Sequence, residues 1–190
     1  MHDLGPAARE LAGVVAQVGE ADLDRPTPCG EWSVRQLLGH LLAFAGHFVR
    51  VARHEPGQAG GPPTDLPADW RAELDARLAD LAAAWAEPRA WEGEGSAGGL
   101  TMPRAELGVV AVEELVLHGW DLAQSVGADF TVRDEDLAAV AGFVANFEHA
   151  PQEARTGLYG PVVHAETAGE LERVLALAGR DPRRPLAPAG

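Results

Sequence analysis

The chain has 190 residues, 46% of them apolar, which is enough to bury a core without staples and too apolar for disorder. Its 29 acidic residues face 15 basic ones, all of them arginine, for a net charge of −14. That balance excludes the clustered cations that a nucleic-acid backbone or an anionic membrane surface requires.

A first helix is expected over 6–19, with Pro6 in its first turn and Leu4, Leu11, Val14, Val15 and Val18 on its apolar side. The stretch "DLDRPTPCGEW" reads as a loop. In "EWSVRQLLGHLL" Ser33 is a natural N-cap and Gln36 stands three residues on, a capping box with Trp32 and Leu37 placed for a hydrophobic staple. This second helix should run to about His54, where "EPGQAGGPPTDLP" breaks it. A third helix is expected over 68–86, with Trp70, Leu74, Leu78, Leu81 and Trp85 as its buried stripe. "PRAWEGEGSAGGLTMP" is a loop or hairpin. A fourth helix starts near Pro103 and ends before Gly127, and a fifth covers about 133–149. "TGLYGPVVHAET" connects to a last helix in "TAGELERVLALAG", with Gly179 as its stop. The ending "RDPRRPLAPAG" should fray. The expected organisation is a single helical domain over 1–180, built as a helix bundle, with a flexible tail over 181–190.

Cys29 is the single cysteine, so no internal disulfide forms and a reducing cytoplasm fits best. The opening "MHDLGPAARELAGVV" lacks the pattern of a signal peptide, and no apolar run reaches the ~20 residues of a membrane span.

The fourth helix is apolar nearly all round, yet it carries Glu114, His118 and Asp121. At 3.6 residues per turn these share one face with Leu107, Ala111 and Ser125. Buried charges need partners. The second helix offers one, because Leu37, His40, Phe44, His47 and Val51 also share a face. A divalent metal held by His40, Glu114 and His118 satisfies all three, and two imidazoles with one carboxylate make an open site for zinc or iron. Asp121 is then placed to accept the other N–H of a ligand imidazole. A buried Glu–His ion pair, with His40 hydrogen-bonded separately, satisfies the same pattern. His47 and His54 read as rim residues, while His2, His149 and His164 are isolated. Cys29 reads as a small apolar plug rather than a nucleophile, and Trp70, Trp85 and Trp120 as core. There is no phosphate-binding glycine loop, no G-x-S-x-G and no C-x-x-C.

Three stretches carry a resemblance. "TPCGEWSVRQLLGHLL" follows the pattern TPC-x-x-W-x-V-x-x-L-x-x-H, "EELVLHGWDLAQSVG" carries E-x-x-x-H-x-W-D, and "ELERVLALAGRDP" is similar to the ending of single-domain members. Together they resemble the mycothiol-dependent maleylpyruvate isomerase N-terminal family of the DinB-like metal-binding superfamily. The resemblance implies an all-α four-helix bundle with a long crossover and metal ligands at His40, Glu114 and His118. It implies a divalent metal, zinc ahead of iron or nickel, and mycothiol as a thiol cosubstrate. The expected function is a metal-dependent mycothiol S-transferase or isomerase-like enzyme acting on a small electrophile, with a homodimer left open. The full isomerase has a further C-terminal domain that holds its acidic substrate. Only a short helical extension follows Gly127 here, which favours S-transfer. The alternative is a non-catalytic metal-binding bundle acting as a sensor or partner-binding protein.

Overall fold

The computed structural model describes residues 1–30, 32–56, 66–97, 99–155, 157–164, 166 and 168–183. Its helices are α1 Gly5–Val15, α2 Val34–Ala52, α3 Trp70–Ala86, α4 Arg104–Val126, α5 Asp134–Val144, the single turn α6 Gln152–Arg155, and α7 Glu170–Leu177. Between α3 and α4 an antiparallel hairpin pairs β1 Glu94–Ala97 with β2 Leu100–Pro103. Residues 184–190 of the tail expected over 181–190 and most of the break after α2 lie outside the described residues.

The sequence places α2, α3 and α4 within two residues of their ends. Helix α1 stops short of 19 because Gln17 and Val18 tighten onto Val14 and Val15, three residues back, rather than four. Helix α5 gives way to a 3-10 turn over Ala145–Phe147 instead of running to 149. Pro151 lies just beyond, and a residue before proline is pushed out of the helical region. Helix α2 ends at Ala52, and His54 takes a left-handed φ of 61°, with its Nε2 2.8 Å from the Arg89 carbonyl.

Each of α1 and α2 packs against both α3 and α4, α5 covers α4, and α7 lies on α5. Helix α4 therefore has neighbours on most sides, which is why its apolar residues run nearly all round. The stripe Trp70, Leu74, Leu78, Leu81 and Trp85 is buried throughout. Among the described residues no helix is long and apolar enough to cross a membrane.

The start of α2 is locally encoded. The Gln36 N–H donates to Ser33 Oγ at 3.3 Å, and Gln36 Oε1 accepts from the Ser33 N–H at 2.9 Å. Ser33→Ala is expected to lower stability by about 0.5–2 kcal/mol. The check is the urea midpoint, and an unchanged midpoint would mean that the cap contributes nothing.

A second local device ties the N-terminus to α5. Asp136, buried, accepts from Arg133 Nε and Nη2, each at 2.9 Å, and pairs with His2. Burial alone raises its carboxyl, but the hydrogen bonds from Arg133 and His2 outweigh it and hold the group below the usual range. A depressed carboxyl contributes stability above its unfolded value of about 3.9 and loses it as pH falls through the folded value. The stability gap between the wild type and Asp136→Asn is thus expected to be widest above about pH 5. It should close as the pH drops below 4. A gap independent of pH in denaturant titrations would refute this account.

Candidate metal centre

The loop before α2 is closed by its own hydrogen bonds. Thr27 donates through its N–H and its Oγ1 to the Trp32 carbonyl, at 3.0 and 2.9 Å, and Thr27 Oγ1 accepts from the Cys29 N–H at 3.2 Å. Gly30, at φ 63°, makes the turn that side chains resist. The loop thereby delivers Cys29 and Trp32 to the face of α2 that carries His40. The Trp32 ring lies 4.9 Å from the His40 ring and 6.0 Å from the His118 ring. Its partners include these imidazoles, a role that the staple reading did not foresee.

Helix α4 brings Glu114 and His118 opposite His40. Glu114 Oε2 is 2.9 Å from His40 Nε2 and 3.2 Å from His118 Nε2. All three ligand atoms lie within 4.8 Å of one another. Ligands held about 2.0–2.1 Å from a tetrahedral zinc stand roughly 3.3 Å apart, so the side chains fit a divalent metal with small movements. Glu114 would rise on burial, but hydrogen bonds from His118 and His40 reverse this and hold it well below the carboxylate range. Burial likewise disfavours the charged His118, and hydrogen bonds with Asp121, Cys29 and Glu114 overcome it, so its imidazole lies well above its ordinary value. One carboxylate between two imidazoles, with all three ligand atoms turned to a single point, is an arrangement that a divalent metal can take over.

Asp121 sits behind the trio where the sequence placed it. It is fully buried, and its Oδ2 lies 3.0 Å from His118 Nδ1. Its other partner was not foreseen. Arg180, in the stretch expected to fray, is buried at 5% exposure and donates from Nη2 to Oδ2 at 2.8 Å and from Nε to Oδ1 at 3.3 Å. Arg180 Nη2 also approaches Cys29 Sγ at 3.5 Å. Cys29 therefore sits against a guanidinium, not in an apolar plug site. Cys29, His118 and Asp121 form a second group with metal-ligand spacing. A cation there would face the Arg180 charge, so the first trio is the better metal site.

Glu113 and Tyr159 were also missed. Both are buried and hydrogen-bonded to each other. Burial, and then the Glu114 charge, push Glu113 up to about 8. The one signal available was a second carboxylate in an apolar run. Tyr159, the chain's single tyrosine, gave none. The cluster opens onto a cleft of about 2300 Å³, walled by Trp32, Phe44, Met102, Phe147, Leu158 and Tyr159 among others. His47 lies on its rim, with Nε2 3.0 Å from the Ser96 carbonyl, as expected of a rim residue.

Two crystal structures of the mycothiol-dependent maleylpyruvate isomerase, one of a mutant, share this fold. Their TM-scores are 0.60 and 0.61, at 20% and 19% identity, and each match covers 76% of this chain and 68% of the other. At that identity the likeness speaks for the fold alone, the all-α DinB-like fold. No curated protein matches the chain. The sequence pattern of the mycothiol maleylpyruvate isomerase N-terminal domain matches residues 4–123, a span that includes His40, Glu114, His118 and Asp121 but neither Tyr159 nor Arg180. That match spans well over half of the sequence, and the chain belongs to this family.

Proposed function

We propose that this chain is a metal-dependent enzyme that uses a small thiol, mycothiol on the strength of the family, against a small electrophilic substrate, by S-transfer or by isomerase-like addition and elimination. The observation that carries this reading is the convergence of His40 Nε2, Glu114 Oε2 and His118 Nε2 at the wall of an open cleft. His40, Glu114 and His118 would hold the metal, with zinc best suited to two imidazoles and a carboxylate. When bound, a divalent cation lowers the pKa of a thiol brought to it, and the thiolate is the nucleophile for both reactions.

The chain's own residues do the rest. Asp121 takes the Nδ1–H of His118 and leaves Nε2 facing Glu114. Trp32 covers the two imidazoles on one side and limits water there. The cleft is larger than the 300–1,000 Å³ common for one small ligand, which suits a thiol and a substrate together.

The test is consumption of mycothiol by the zinc-loaded protein in the presence of electrophiles such as activated alkenes and alkyl halides. Cys29→Ser should keep most of that activity, because the nucleophile belongs to the cosubstrate. A folded, zinc-loaded Cys29→Ser protein without activity would move the nucleophile into the chain. Zinc uptake with no thiol consumption would leave only the non-catalytic metal-binding reading.

A further inference from the structure

We propose that Arg180 is a positioning residue for the metal centre: by gripping Asp121 it fixes the imidazole of His118 so that Nε2 faces Glu114 and His40. The proposal rests on the metal reading of that trio.

Both Asp121 oxygens are engaged by Arg180, and Arg180 Nη1 donates in addition to the Ala178 carbonyl at 2.9 Å. A carboxylate taken wholly out of water needs such a partner, and a guanidinium fork on two oxygens sets direction as well as charge. Held this way, Asp121 presents Oδ2 to His118 Nδ1 at 3.0 Å. A hydrogen bond at one ring nitrogen decides the tautomer and leaves the lone pair on the other. His118 Nε2 is that other nitrogen, 3.2 Å from Glu114 Oε2.

The aim of Arg180 is itself encoded locally. Helix α7 closes with the Gly179 N–H on the Ala176 carbonyl at 3.1 Å and the Arg180 N–H on the Leu175 carbonyl at 2.8 Å. This is a Schellman motif with glycine in the left-handed position, φ 85°. It fixes the direction in which residue 180 leaves the helix. Gly179 also meets the Gly160 backbone, where an added Cβ would stand 2.7 Å from the Gly160 Cα. A segment outside the family match thus reaches the ligand set through one buried ion pair.

The test measures zinc affinity of the full chain by competition with a chromophoric chelator, and the visible spectrum of the cobalt-substituted protein. The variants are Arg180→Ala, Arg180→Gln, Arg180→Lys and Asp121→Asn. Loss of the grip is expected to weaken zinc about 10–100-fold in Arg180→Ala and in Asp121→Asn, and to shift the cobalt bands. Arg180→Lys should recover part of the affinity, since it restores the charge without the fork. A role confined to pinning the C-terminal segment would lower the melting temperature but leave affinity and spectrum of the folded protein unchanged, and that result overturns the proposal. If Arg180→Ala does not fold, Arg180→Gln and Arg180→Lys carry the same expectations, and wild-type affinity in each folded variant is again fatal. A wild-type chain that takes up no zinc overturns the metal reading itself, and the proposal with it, which is a distinct outcome.

Discussion

His118→Ala is expected to abolish zinc binding and thiol transfer together while leaving the protein folded. The substitution removes one of the three atoms proposed to hold the metal. Disturbing an outer partner of a ligand costs about 10–100-fold in affinity, and deleting the ligand should cost more. The fold should survive because the buried groups left behind keep partners. Asp121 retains Arg180 on both oxygens, and Glu114 retains His40. The imidazole itself is buried but borders the cleft, so its loss widens existing space instead of opening a sealed void. His47→Ala is the matched control. It removes a histidine from the same cleft, on the helix that carries His40, but one that bonds the Ser96 carbonyl on the hairpin. Its zinc affinity should stay at the wild-type value. Chelator competition, with circular dichroism to show folding, decides the matter. Undiminished zinc affinity in His118→Ala would remove His118 from the ligand set, and equal losses in both variants would show that the effect is not specific to the trio.

Trp85→Ala is expected to lower stability by about 3–5 kcal/mol, against a whole-domain stability of about 5–15 kcal/mol. Trp85 is fully buried on α3. Its Nε1 donates to the Phe48 carbonyl of α2 at 3.2 Å, and its ring meets Trp91 edge-on with centroids 5.1 Å apart. Trp91 in turn donates to the Trp85 carbonyl at 2.8 Å and lies over Gly108 of α4 so closely that a Cβ there would be 2.3 Å from the ring. The truncation therefore opens a cavity where α2, α3 and α4 are locked together. Tight packing of Trp91 on Gly108 leaves little scope for collapse into that space, which favours the upper part of the range. Urea unfolding followed by far-ultraviolet dichroism measures it. A loss under 1 kcal/mol would mean that the site closes up and the linkage is not what it looks to be.

Local rules carried much of the fold. Ser33 with Gln36 at the start of α2, Gly127 after α4 and Gly179 after α7 all mark boundaries that the structure keeps. The overestimates were of α1 and α5, where the apolar pattern continues past the point at which the backbone tightens into three-residue turns. Periodicity and burial also brought out His40, Glu114, His118 and Asp121, because a polar residue on an apolar helix face announces itself. Arg180 and Tyr159 were invisible for the opposite reason. They lie in connections rich in glycine and proline, with no periodic face to be out of place on, and their burial depends on chain crossings that no local pattern encodes. Cys29 was misjudged because its neighbours in sequence are loop residues, while the groups that matter to its sulfur come from α4 and the far end of the chain.

The contact between Gly160 and Gly179 bears on how this family's sequences can diverge. An added methyl at 179 strikes backbone atoms 2.7–2.9 Å away and a φ of 85°, whereas at 160 the nearest atoms stand at an ordinary 3.5 Å. The constraint is one-sided. Position 160 can drift to alanine, while position 179 must stay glycine or the strand of chain after it takes another path. A lineage that loses that glycine would re-aim residue 180 and leave the aspartate at 121 without its cation, and removing the aspartate would then be the easier repair. Positions 121 and 179 do not need to touch to be tied in this way. Across relatives with a comparable C-terminal segment, the two are expected to covary, with aspartate at one accompanied by glycine at the other.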